Sequence, residues 1–75
     1  MAELKTELLT GIERIAGRPV ALDEALVGGA IDSLALVELV NLVEDLARER
    51  QVKIDLDRLV SEEKLTAAKI LAEFS

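Results

Sequence analysis

The chain has 75 residues, enough for one domain, residues 1–75, with a small core and modest stability. Half of those residues are hydrophobic, mostly Leu, Val, Ile and Ala, and Phe74 is the only aromatic, so the core is expected to be aliphatic. Histidine and cysteine are absent and the net charge is −6, which removes the usual general base, thiolate, soft metal ligands and disulfide, and disfavours nucleic acid and anionic membranes as partners.

At the N-terminus, Met1-Ala2-Glu3-Leu4-Lys5-Thr6-Glu7 mixes charges too early for a signal peptide, and no apolar run approaches the length of a membrane span. A cytoplasmic protein without membrane insertion is the expectation. Leu4, Leu8, Ile12 and Ile15 recur at the helical period, with Glu3, Glu7, Thr10 and Arg14 elsewhere on the wheel, so residues 3–16 read as an amphipathic helix. Gly17 supplies a C-cap, and Pro19 follows it.

Residues 18–31 show no sustained period. Val20, Leu22, Leu26 and Val27 are expected to pin this stretch to the core, and a loop so long in a small domain is usually functional or ordered by its own side chains. Residues 33–50 contain neither Gly nor Pro and form the strongest helix candidate. Leu36, Val40, Val43 and Ala47 are expected to centre its apolar face, opposite Glu38, Asn41, Asp45 and Arg48.

Val52-Lys53-Ile54 alternates too briefly to require a strand, and Asp55 can cap a short helical turn through Leu56, Leu59 and Val60. Thr66 is the expected N-cap of a last helix from Ala67 to Phe74, in which Ile70, Leu71 and Phe74 share a face. The sum is an all-α chain: a small four-helix bundle, three longer helices and one short third helix around a single core.

Asp32-Ser33-Leu34 stands where a flexible stretch with Gly28 and Gly29 meets the second helix. A serine hydroxyl at a helix mouth, beside an aspartate, suits a phosphorylated attachment, because helix N-termini favour anionic oxygens. The plainer alternative is that Ser33 or Asp32 merely caps the helix. No His, Lys or Cys adjoins Ser33, so it lacks a base of its own to make it a nucleophile, and no convergent acid–base constellation or metal set is readable. The chain is therefore not expected to be an enzyme.

With Ala35-Leu36-Val37-Glu38-Leu39-Val40 behind it, the Gly29-Ala30-Ile31-Asp32-Ser33-Leu34 segment resembles the prosthetic-group site of the acyl carrier protein family, and Leu65-Thr66-Ala67-Ala68-Lys69-Ile70 resembles the start of that family's last helix. The resemblance covers nearly the whole chain. It implies a bundle of acyl-carrier type, with Ser33 as the attachment oxygen for 4'-phosphopantetheine and Asp32 as the neighbour read by a phosphopantetheinyl transferase. It also implies a monomeric shuttle whose second helix is recognised by acyl-loading and acyl-transfer enzymes with basic surfaces. Residues 32–50 carry five acids against two arginines, a local net charge of −3. Leu34, Glu38, Asn41 and Asp45 are the expected partner contacts.

Two departures narrow the subtype. Ala35 stands where many fatty-acid carriers have an aspartate after the leucine, which favours a specialised pathway, and Ala30-Ile31 separate the paired glycines from Asp32, a spacing more like discrete carriers than modular peptidyl ones. An aminoacyl or peptidyl carrier remains the alternative within the family. An unmodified acidic helical adaptor for a basic partner is the alternative outside it.

Overall fold

A computed structural model describes residues 3–61 and 64–74; Met1 and Ala2 of the charged N-terminal stretch, Glu62, Glu63 and Ser75 lie outside it. Among the described residues four α-helices carry the fold: α1 (Leu4–Ala16), α2 (Leu36–Glu49), α3 (Leu56–Val60) and α4 (Ala67–Glu73). Among the described residues there is no strand, only an isolated bridge between Val27 and Ile31. No described helix is long and apolar enough to cross a membrane.

Local chemistry sets most boundaries. Gly17 closes α1 in the left-handed region, φ 79°, and its N–H donates to the Glu13 carbonyl at 2.8 Å. Asp55 and Thr66 cap α3 and α4 as their positions suggest, accepting from the N–H groups of Arg58 and Lys69. The second helix departs from expectation at both ends. Residues 33–35 form a tight 3-10 turn because the Ala35 N–H is drawn to Asp32, and α2 proper begins only at Leu36. At the far end Gln51 turns left-handed, φ 55°, and Val52 N–H donates back to the Ala47 carbonyl at 2.9 Å, so the helix stops at Glu49.

Leu8 and Ile12 of α1, Leu39, Val43, Leu46 and Ala47 of α2, Leu59 of α3, and Ala67 and Ile70 of α4 form the core. Leu26, Ile31 and Leu65 join them from the connections. The apolar face of α2 corrects the sequence reading: Leu36 and Val40 are only half-buried, while Leu39, 1% exposed, and Leu46 occupy the interior. At 100° per residue the buried stripe is turned by roughly 45° from the expected one. The cause is tertiary. Alpha-helix α1 packs on the Leu42–Leu46 side of α2, where it also brings Glu7 to Arg50, and so draws that side inward.

The long connection is held rather than loose. Leu26 N–H donates to the Leu65 carbonyl at 2.9 Å, and Ala68 N–H donates to the Leu22 carbonyl at 3.1 Å, which fastens the loop to the start of α4. Leu26 is fully buried and Val20 and Leu22 partly so. Val27, expected to pin the loop, instead lies at the surface, and Ile31 takes the interior position. Within the loop Arg18 pairs with Glu24, whose carboxylate also accepts from Ala21 N–H. The Arg18 hydrogen bond, with the Ala21 N–H behind it, lowers the Glu24 pKa from its ordinary value.

Candidate functional site

The segment before α2 is a tight turn anchored at its end. Gly28 adopts φ 80°, and its N–H donates to the Ile31 carbonyl at 2.9 Å. Ala30 N–H donates to the Ala25 carbonyl at 3.0 Å, and Ile31 N–H to the Leu26 carbonyl at 2.7 Å. Gly29 permits this closure, since a Cβ there would stand 2.5 Å from the Ala25 oxygen. Burial of Ile31 then fixes the chain to the core immediately before it turns outward.

Asp32 and Ser33 emerge from that anchor exposed. Asp32 is extended, φ −81° and ψ 169°, and its Oδ1 accepts from Ala35 N–H at 2.9 Å, with the Asp32 carbonyl accepting from the same group at 3.1 Å. Capping thus falls to Asp32. Ser33 opens the 3-10 turn, its carbonyl accepts from Leu36 N–H, and its hydroxyl makes no hydrogen bond among the described residues. A group esterified to that oxygen would displace no internal interaction. The first N–H groups of a helical start lack intrahelical partners and favour anionic oxygen, so the local field suits a phosphodiester.

Leu34 is 87% exposed, and Glu38, Asn41 and Asp45 are exposed along the same outward side of α2. These four residues therefore share one exposed side beyond Ser33. The structure adds Val37, 66% exposed, which the sequence reading passed over. The signal was available: Val37 sits three residues after Leu34 and outside the row of Leu36, Val40, Val43 and Ala47, so an apolar side chain there has no place in the core. Glu38 makes no ion pair among the described residues, whereas Asp45 pairs with Arg48 at 3.2 Å.

No family model, curated protein or solved structure matches the chain. The site must be read from its own geometry. No group of three or more acidic side chains among the described residues is arranged to hold a metal ion. On the side of α2 that faces the connection to α3 there is a cavity of about 220 Å³, walled by Val43, Ala47, Val52, Ile54 and Leu56, with Glu44 and Arg48 also lining it.

Proposed function

We propose that this protein is a discrete acyl carrier, a four-helix bundle of acyl-carrier type that bears 4'-phosphopantetheine on Ser33 and moves acyl groups between cytoplasmic enzymes. The observation that carries the reading is the division of labour at the start of α2. Asp32 caps the turn, and the adjacent Ser33 hydroxyl stands exposed with no internal hydrogen bond among the described residues. A serine retained only for capping would be expected to accept an N–H bond itself.

Bound at Ser33, 4'-phosphopantetheine would supply the terminal thiol, and with it the thioester chemistry, that a chain without cysteine lacks. The chain's own residues present and orient the attachment point. The buried Ile31 and the closed turn before it hold Asp32 and Ser33 in place, while the absence of histidine leaves the Ser33 proton to a base of the transferase. Leu34, Val37 and the acidic residues beside them give partner enzymes an apolar contact with a charged surround.

Reaction with coenzyme A and a promiscuous transferase tests this reading. Intact mass should rise by one phosphopantetheine, mapped to Ser33. The exposed Leu34 and Val37 beside Glu38 also favour the second reading, an unmodified adaptor for a basic partner, which predicts no mass gain.

A further inference from the structure

We propose that Gly29 is a positioning residue for Ser33: the close backbone approach that only glycine allows there sets where the serine hydroxyl stands for the modifying enzyme. The inference rests on the carrier reading and says how that site is held. A Cβ on Gly29 would lie 2.5 Å from the Ala25 carbonyl oxygen and 3.2 Å from its carbon, a backbone group that no rotamer change can move aside. Gly28, one residue earlier, is the opposite case. Its φ of 80° favours glycine, yet a Cβ there meets nothing within 4 Å, so asparagine, which tolerates the left-handed region, fits.

The crowding that a side chain at position 29 creates is relieved toward Ser33. Leu26, next to Ala25, is fully buried and its N–H donates to the Leu65 carbonyl at 2.9 Å, so that limb of the turn is fastened to the entrance of α4. The limb after it is held within the turn itself, since the N–H groups of Gly28, Gly29, Ala30 and Ile31 all donate to carbonyls of residues 25–31. Widening the gap between Ala25 and Gly29 lengthens the 3.0 Å bond from Ala30 N–H to the same Ala25 oxygen and draws Ile31, two residues before Ser33, with it. Asp32 then carries the displacement into the 3-10 turn through its bond to Ala35 N–H. In the transfer, Ser33 Oγ bonds to the pantetheine-bearing phosphorus of coenzyme A as adenosine bisphosphate leaves, and the Ser33 proton passes to the transferase's base. Misplacing the attacking oxygen by about 1 Å costs about 100-fold in such a displacement.

Steady-state modification of the full chain by a promiscuous transferase, with coenzyme A saturating and the carrier varied, tests the assignment. Gly29→Ala should lower kcat about ten- to 100-fold, while Gly28→Asn stays within about twofold of wild type. Partial unfolding alone reduces only the concentration of competent carrier, which raises the apparent KM and leaves kcat untouched. Backbone amide NMR of Gly29→Ala should place the shift changes at residues 25–35, with Leu8, Ile12 and Ile70 keeping their wild-type positions. If Gly29→Ala does not fold, Ile31→Val, which loosens the same limb by one carbon, decides the matter and should lower kcat about threefold. A wild-type kcat in the deciding variant, an equal loss in Gly28→Asn, or shift changes spread through the core would overturn the inference, while modification of the wild type leaves the carrier reading standing. An unmodified wild type would overturn both.

Discussion

Separate replacement of Asp32 and Ser33 should divide helix capping from attachment chemistry. Asp32→Ala removes the carboxylate that accepts from Ala35 N–H at 2.9 Å, and N-cap losses of this kind cost about 0.5–2 kcal/mol. The Asp32 backbone carbonyl still accepts from the same N–H at 3.1 Å and the site is exposed, which places the loss in the lower half, about 0.5–1 kcal/mol. For a domain of this size that is a fall in Tm of roughly 2–8 °C. Ser33→Ala removes no internal hydrogen bond and should stay within about 0.5 kcal/mol of wild type. Asp32→Asn keeps an acceptor of equal capping strength but not the charge, so it should melt normally while being modified more slowly if the transferase reads the carboxylate. Thermal unfolding followed by circular dichroism, with modification rates from intact mass, gives both quantities. If Ser33→Ala melts as low as Asp32→Ala, or lower, the assignment of the cap to Asp32 alone is wrong.

Other substitutions test the packing and the charges. Leu8→Ala and Leu39→Ala should each cost about 2–5 kcal/mol, whereas Val40→Ala, at a half-buried position, should cost less than either; equal losses in chemical denaturation at positions 39 and 40 would contradict the orientation of α2. Gln51→Gly should raise stability by about 0.5–1 kcal/mol by relieving the left-handed backbone after α2, and a lowered Tm would show that the Gln51 side chain matters more than its φ. Because the folded-state pKa of Glu24 is depressed, its pair with Arg18 stabilises the loop above the unfolded carboxylate range and ceases to do so as pH falls through the folded value. Arg18→Gln should therefore narrow the difference between neutral and acid stability, chiefly at low salt, and an unchanged pH profile would remove that pair from the loop's energetics.

The helices and caps were legible because they depend on neighbours in the chain. Gly17, Asp55 and Thr66 act within one turn of where they stand, and the period of Leu8 and Ile12 marks the buried face of α1. The rotation of α2 was not legible, since Leu36, Leu39, Val40, Leu42, Val43 and Leu46 offer an apolar arc wider than one contact face. Only the position of α1, with Gly11 against Leu42, selects the stripe. The loop was legible in part, for Leu26 is buried and Val20 and Leu22 partly so, but Val27 is not. Val27 and Ile31 are equivalent by composition, and the choice between them is made by backbone hydrogen bonds from Leu26 and Ala68 to residues distant in sequence. Ser33 was conspicuous from its neighbours, but the freedom of its hydroxyl follows from Asp32 taking the cap, a choice that sequence leaves open.

The most direct measurement is the intact mass of wild-type protein and Ser33→Ala after incubation with coenzyme A and a promiscuous phosphopantetheinyl transferase, followed by loading with an activated acyl group. The account predicts one phosphopantetheine and then one thioester-bound acyl group on the wild type, and neither on a folded Ser33→Ala variant. An unmodified wild type, or a Ser33→Ala variant modified as readily as the wild type, would contradict it.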